Sequence, residues 1–420
     1  MNPTSKLSFR ARGILALAAA AVVGSVANRP VIATAAGADA PSLRSASPNP
    51  ATGSSAAVIV SGFHLAHTAQ VTAAGPDGKF TDAGDVARQS GRCLELIDSL
   101  LKEADSGLDK IAKLHICVTK PEHVSDVQQL LGLRFSAGTR PAVTYVVSAP
   151  TIPGALVMMD AVGATEKTPK PNAAGLIASK SLKGLPTAGV SILPAKTRSV
   201  YISGQSAAGD LTEGARRTME RLKRTLDFLL LKPQHVVQLK AFISPITNTA
   251  PVLAEVAKIF GTNQIQIPPV VFVEWTAPNS IEIEMIATTG DQSAAVRDSL
   301  SYVTPPGFTP SPLFSRVAVL NHGPTVYVGG LHAAAGGDAS TQIREIFGAL
   351  DTLLREIECN PRHMLKATYY VTDEKASNEL NALPPGFLDS KRLPAASKVM
   401  VRGVAPGRTV TMDVIATTIR

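Results

Sequence analysis

Ile281-Glu282-Ile283-Glu284-Met285-Ile286-Ala287-Thr288 alternates as one strand of a sheet must, and it carries a carboxylate at its fourth position. Two altered copies flank it. Val157-Met158-Met159-Asp160-Ala161-Val162-Gly163-Ala164 precedes it, and Val410-Thr411-Met412-Asp413-Val414-Ile415-Ala416-Thr417 nearly ends the chain. The intervals between the three acids are each about one small domain long. An acid in an otherwise apolar strand is either a tolerated edge charge or a working group, and the rest of the sequence bears on which.

Upstream of each copy the same succession recurs. In the first unit, short strands lead through the turn Gly75-Pro76-Asp77-Gly78 to a helix with Val86, Cys93, Leu94, Ile97, Leu100 and Leu101 at helical spacing. A strand over 111–119, a helix over 125–135 and a strand opening at Pro141 follow. The second unit repeats this with Tyr201-Ile202-Ser203-Gly204-Gln205, a helix carrying Met219, Leu222 and Leu226, a strand over 236–244, a helix over 251–260 and a strand after Pro268-Pro269. The third has Val326-Tyr327-Val328-Gly329-Gly330-Leu331, a helix with Ile346, Leu350 and Leu354, a strand over 364–372 and Pro394-Ala395-Ala396-Ser397. Gln205 to Pro268 and Leu331 to Pro394 are equal intervals. Three β-β-α-β-α-β-β units are therefore expected, at 56–164, 190–288 and 313–420, with connectors over 165–190 and 289–312.

Composition narrows the remaining choices. At 420 residues, 45% apolar and 18% charged, the chain is globular and too long for one ordinary core. Its net charge of +8 sits largely in the first thirty residues and in the first connector, so nucleic-acid binding is not expected. Residues 1–27 read as an export signal: Lys6, Arg10 and Arg12 precede the apolar run 14–23 and the small residues Gly24-Ser25-Val26-Ala27. The protein is thus expected to be exported, periplasmic or extracellular, without a stable membrane span. An Ala-, Ser- and Pro-rich flexible linker is expected over 28–55. Cys93, Cys117 and Cys359 cannot all pair and read as buried thiols. No His or Cys spacing fits a metal site, and no cofactor is expected.

The combination of Tyr-Ile-Ser-Gly-Gln at 201–205, the helix–strand–helix succession, a proline-anchored strand and Ile-Glu-Ile-Glu-Met-Ile-Ala resembles the Rid family of reactive-intermediate deaminases (YjgF or L-PSP-type proteins). The resemblance covers nearly all of 56–420 as three tandem copies. It implies an α+β, chorismate-mutase-like fold that assembles as a trimer with ligand clefts between subunits. Three copies in one chain then imply an intramolecular pseudo-trimer, a monomeric particle whose three clefts are free to differ. The family's deaminases hydrolyse imines or enamines to oxo compounds and ammonia. A Pro-Ala-Arg arginine grips the substrate carboxylate, and a glutamate of the last strand handles water and protons.

Carried over, the resemblance puts the last-strand acid at Asp160, Glu284 and Asp413, the candidate catalytic residues. The arginine position holds Val143, Val270 and Ala396, none able to bind a carboxylate. Losing that charge-assisted pair costs about 1.5–3 kcal/mol of substrate grip. Arg140 and Lys398 are the nearby cations that can replace it, and Gln70, Ser203, Gly204 and Gln205 complete the candidate substrate-binding set. The Ser-Gly-Gln motif reads as Thr68-Ala69-Gln70 in the first unit and Gly329-Gly330-Leu331 in the third. Two functions fit: a deaminase of imines or enamines, or a non-catalytic binder of a small molecule in interdomain clefts. A ribonuclease, sometimes attributed to L-PSP-type relatives, has little support in the scattered charge.

Overall fold

Three aspartates start the three long helices. Asp85, Asp210 and Asp338 each sit in extended backbone and accept a hydrogen bond from the backbone N–H three residues on, at Arg88, Glu213 and Thr341. This satisfies one of the donors that a helix start leaves open. The helices α1 (Val86–Glu103), α3 (Leu211–Phe228) and α5 (Ala339–Glu356) are equal in length, and each lays an apolar stripe on a sheet. The computed structural model describes residues 40–135, 138, 140–263, 266–289, 296–382 and 387–418, and 40–420 form one compact unit. The expected leader and the first part of the expected linker lie outside the described residues.

The chain opens with β1 (Ser42–Asn49) and β2 (Ser54–Ser61). The first repeat then runs β3 (His64–Thr68), β4 (Val71–Thr72), α1, β5 (Ile111–Val118), α2 (His123–Arg134), β6 (Ala142–Val147) and β7 (Val157–Thr165). The second opens with β8 (Gly175–Ile177) and β9 (Val190–Leu193). It continues with β10 (Ser199–Ser206), α3, β11 (Val236–Ile243), α4 (Ala250–Phe260), β12 (Val270–Glu274) and β13 (Ile281–Thr288). The third opens with β14 (Leu300–Val303) and β15 (Val317–Leu320). It continues with β16 (Thr325–Val328), α5, β17 (Met364–Val371), α6 (Glu374–Asn381), β18 (Ala395–Met400) and β19 (Val410–Ala416).

Each repeat orders its sheet identically: β6-β5-β7-β3, β12-β11-β13-β10 and β18-β17-β19-β16. The strand that precedes each of these sheets in the chain pairs antiparallel with the edge strand of another repeat's sheet. β9 pairs with β3, β15 with β10, and β2 with β16. The last pairing joins the start of the chain to its third repeat, so the succession closes on itself. Residues 42–55, expected as part of a flexible linker, are instead mostly strand. β1 pairs with β2 from Ser42↔Ser61 to Asn49↔Ser54, because β2 offers one edge to β16 and needs a partner on the other.

One face of each sheet meets its own helices in a separate apolar cluster. The opposite faces meet one another. Ala112, Val237 and Leu365 share one apolar cluster with residues of all three sheets, and Cys117, Phe242 and Tyr370 share another. Between these two layers the strands carry ionisable residues. The three cysteines are buried and unpaired, and burial pushes the Cys93 and Cys359 thiols up to about 12. A thiol-reactive dye is therefore expected to label the native protein at none of the three and all of them after denaturation; fast labelling of any one in the native state contradicts this packing. Removal of residues 40–61 leaves the β16 edge unpaired. The expected outcome is a lower Tm and concentration-dependent association in sedimentation, where the intact chain shows neither.

Candidate functional site

The three recurrent acids converge. Asp160, Glu284 and Asp413 line one small void of about 50 Å³ together with His67, Lys113, His115, Lys240 and Lys366. Their positions follow from register, since Asp160 lies opposite His115, Glu284 opposite Lys240, and Asp413 opposite Thr368. Side chains at alternate positions share a face, so all point away from the helices into the space between sheets. Lys113 Nζ donates to Asp413 Oδ1 at 2.7 Å, to Val328 O at 2.7 Å and to Thr144 Oγ1 at 2.8 Å. Lys366 Nζ lies 2.7 Å from Glu284 Oε1 and donates to Thr368 Oγ1 at 2.6 Å. Each of these two ion pairs joins one repeat to another.

Burial lowers the Lys113 pKa despite its Asp413 partner, while the attraction of opposite charges prevails at Lys240, Asp160 and Asp413. Burial opposes the Lys240 ammonium, but the Asp160, Glu284 and Asp413 carboxylates around it hold its pKa above the ordinary lysine value. Burial likewise works against the Asp160 and Asp413 carboxylates, and the surrounding cations hold both below the usual range. Burial and the neighbouring Lys240 keep His115 neutral. Its Nδ1–H then donates to Asp160 Oδ1 at 2.9 Å, leaving Nε2 to accept from the Tyr370 hydroxyl at 3.3 Å. Burial first, with the Lys240 charge added, drops His67 to about 4. Asp160 and Glu284 are 5% and 3% exposed, so these acids face no space that a substrate of several atoms can enter.

A larger cleft lies where β10 and β13 of the second repeat meet β18 of the third. It has two lobes. One, of about 730 Å³, is lined by Trp275, Leu313, Tyr369, Phe387, Leu388 and Lys398 among others; the second, of about 550 Å³, by Arg221, Arg224, Phe308 and Arg316. Gly204, Ser206, Glu282 and Phe314 line both. Glu282 shares a strand face with Glu284 but sits one pleat further along, level with the cleft. A Cβ at Gly204 would fall 1.9 Å from Glu282 Oε1 and 2.6 Å from Ser397 Oγ, so glycine is what lets this carboxyl reach the wall. Glu282 Oε1 is buried without a partner. Burial first, and the Glu284 charge second, push the Glu282 carboxyl up to about 8.

The other candidate residues divide between cleft and scaffold. Gly204 lines the cleft and its N–H donates to Ser397 Oγ at 3.1 Å; that hydroxyl donates in turn to Glu284 Oε2 at 2.8 Å, joining cleft and ionic cluster. Lys398 also lines the cleft, its Nζ held by Asn381 Oδ1 at 2.8 Å and its pKa lowered by burial. Ser203 Oγ donates to Ser315 O at 2.6 Å and accepts from Ala396 N–H at 2.8 Å, a seam tie with no face to the cleft. Gln205 lines the smaller lobe, and its Nε2 donates to Thr225 Oγ1 of α3. The Arg140 backbone is held by Ser45 Oγ on β1, away from the cleft. Gln70 donates to Phe272 O at 2.9 Å and accepts from Phe272 N–H at 3.2 Å, filling the seam between the first and second repeats.

Register corrects one equivalence. His67↔Val162 and Val71↔Met159 in the first repeat match Tyr201↔Ile286 and Gln205↔Ile283 in the second. Gln70 therefore stands where Gly204 does, and Val71, not Gln70, matches Gln205. The sequence spacing misses this because β10 carries a bulge between Ile202 and Gln205. The same registers put Met158 and Thr411 at the place of Glu282, and Tyr145 and Phe272 at the place of Lys398. Only the seam between second and third repeats combines the glycine, carboxyl and ammonium among the described residues. Sequence reasoning passed over Glu282 because it weighted the acid common to all three strands; the second acid of Ile-Glu-Ile-Glu was the available signal. Lys113, Lys240 and Lys366, lone cations in apolar strands, were the signal for the ionic cluster.

Residues 308–418 match a family model described as Endoribonuclease L-PSP, which supports the Rid/YjgF family for the third repeat. A YjgF-family protein of Neisseria meningitidis is 24% identical, over 29% of this chain and 96% of its own, with a TM-score of 0.22. A conserved Rid-family protein of Yersinia pestis is 21% identical over 29% of this chain and 98% of its own, with a TM-score of 0.27. A YjgF-type protein of Mycobacterium tuberculosis is 25% identical over 25% of this chain and 86% of its own, with a TM-score of 0.21. No curated protein matches. No helix among the described residues is long and apolar enough to cross a membrane, and no group of His, Cys, Asp and Glu among them is set to hold a metal ion.

Asp413→Asn strands the Lys113 ammonium in the interior, and equilibrium denaturation is expected to show a loss of about 3–5 kcal/mol. Asp227→Asn, which breaks an exposed helix pair with Lys223, is the control and costs under about 1 kcal/mol. The two kinds of buried acid have opposite pH signatures. Asp160 and Asp413 are depressed, so their contribution is present above the ordinary carboxylate range and is lost as pH falls below it. Glu282 is raised from 4.5 to about 8, so the folded state holds the extra proton and stability declines as pH rises between those values. Glu282→Gln is expected to raise Tm at pH 8, with the gain disappearing below pH 4.5; a pH-independent difference contradicts the assignment.

Proposed function

We propose that 56–164, 190–288 and 313–420 are three Rid-like domains closed into an intramolecular pseudo-trimer, and that one of its three seams is a working site for hydrolysis of imines or enamines. The closing pair β2–β16 supports the first part, since it uses the same strand pairing as the two internal seams. The observation that carries the second part is Glu282, a carboxyl raised to about 8 in the wall of the largest cleft. At neutral pH it is protonated and next to a cavity, as a general acid must be.

In this reading the Glu282 carboxylic acid gives its proton to the imine nitrogen, and the resulting iminium carbon takes water. Glu282 carboxylate takes a proton from the added water and passes it to the amine nitrogen; the C–N bond then breaks to release ammonia, and the carboxylate takes the hydroxyl proton as the oxo compound forms. The sum is imine plus water giving oxo compound plus ammonia, with the carboxyl protonated again at the end. The unpartnered Oε1 supplies the position for water or nitrogen, and the Glu284 charge keeps the carboxyl basic enough to be reprotonated. Asp160, Glu284 and Asp413 hold the sheets together, and Glu284 tunes Glu282; they do not touch substrate. The leader at 1–27 adds export to the proposal.

A coupled assay that generates imines in place from several amino acids and amines tests this. Glu282→Gln is expected to lose about a hundred-fold or more of the acceleration while keeping its fold. The wild-type rate is expected to be level below pH 7 and to fall above pH 8 as the carboxyl ionises. Full activity in Glu282→Gln removes the assignment. Imine decay at the uncatalysed rate for every substrate leaves the cleft as a binding site only. Sedimentation of the full chain is expected to give a particle of one chain, and a stable trimer of chains overturns the intramolecular assembly.

A further inference from the structure

The two lobes of the cleft differ in kind. The larger is walled by Trp275, Tyr369, Phe387 and Leu388, and its Trp275 Nε1 is a buried donor with no acceptor. The smaller gathers three guanidinium groups. Arg221 and Arg224 project from one side of α3, three residues apart, and Arg316 comes from the bend just before β15. Arg221 Nη1 donates to Ser206 O at 2.7 Å. Arg316 donates to Thr309 O at 3.2 and 3.0 Å, and its guanidinium lies 4.8 Å from the Phe314 ring centre and 5.8 Å from that of Phe308. Among the described residues none of the three has a carboxylate within ion-pair distance, whereas Arg216 on the same helix holds Glu213 and Glu220. Burial, and then the charge of Arg221, lower the Arg316 pKa, so these two cations repel one another in a partly desolvated space. The acid that shares the lobe, Glu282, is the protonated carboxyl described above. Among the described residues nothing neutralises the lobe.

We propose that this cleft takes an amphipathic anion: a carboxylate or phosphate seated among Arg221, Arg224 and Arg316, an apolar body in the Trp275–Phe387 lobe, and the intervening atoms passing Gly204 and Glu282. Guanidinium groups are suited to such oxyanions by their paired planar donors, and an apolar lobe of this size holds a body of drug-like dimensions. The inference rests on the reading of this cleft as the working site and gives its substrate class: an anionic imine longer than those made from small amino acids, with its acid group on the far side of Glu282 from Ala396. The seat of the anion is therefore built from α3 and the bend that leads into β15, not from the strand after Pro394.

Isothermal titration of the full chain with phenylbutyrate, phenylbutyramide and phenylbutyl phosphate tests the proposal without requiring turnover. A protein that fails the imine assay above still gives an answer here. Both anions are expected to bind roughly ten-fold or more tightly than the amide, and their affinity is expected to weaken as salt is added. The tighter of the two anions identifies the oxyanion. Arg224→Gln, at an exposed helix position, and the double change Arg221→Gln with Arg224→Gln are expected to abolish the advantage of the anions and leave the amide unchanged. Lys223→Gln on the same helix is expected to change nothing. Equal binding of amide and acids overturns the proposal, as does anion binding untouched by either arginine variant. Tight binding of a single-stranded RNA oligonucleotide with no binding of the small anions also overturns it, and makes the arginines a nucleic-acid contact.

Discussion

Everything in this molecule depends on a buried ionic cluster where the faces of three sheets meet. Lys113, Lys240 and Lys366 face Asp160, Glu284 and Asp413 in a space too small for more than a few waters. Such a cluster contributes little net stability, since removing six groups from water offsets much of their attraction. What it provides is registry. Lys113 is satisfied only when Asp413 and Val328 O of the third repeat are in place, and Lys366 only when Glu284 of the second is. A sheet that slips by one residue turns its charge toward the helices and strands its partner. Apolar layers above and below supply the bulk of the burial; the ionic layer fixes which repeat meets which.

That cluster also explains how one seam differs from the other two. Glu282 sits one pleat from Glu284, and the Glu284 charge is among the causes that keep its carboxyl protonated. Ser397 links them, accepting from Gly204 N–H on the cleft side and donating to Glu284 on the inner side. At the equivalent places the other seams carry Met158 and Thr411 for Glu282, and Gln70 fills the space that Gly204 leaves open. Linking three copies in one chain removes the requirement that all seams be the same. One keeps the space and the acid, while at another the Gln70 side chain bonds to the Phe272 backbone.

The recurrence of an acid at the fourth position of three strands carried two meanings, and only geometry separates them. A residue present in every copy is the one that builds the shared centre, where all three copies meet. A residue present in a single copy is free to define a single site. The sequence reading favoured the shared acids and the Ser-Gly-Gln triad. Of that triad, Gly204 lines both lobes and Gln205 the smaller one while bonding to α3, and Ser203 ties strand to strand behind them. Lys398 was anticipated from its place on the strand after Pro394 and does face the cleft.

The sequence by itself determined the local structure. Apolar periods, three aspartate helix starts and the turn residues specify the order of strands and helices, because those preferences act over a few residues. It also showed that the order is used three times. Tertiary structure alone decided that the strand preceding each sheet in the chain pairs with the edge strand of another repeat's sheet, which drew residues 42–55 out of the expected linker into β1 and β2. It alone decided that Glu284 faces lysines while Glu282 faces open space. Both acids share one strand face and one composition; their roles part because neighbours brought from other repeats bury one against cations and leave the other at a cavity wall.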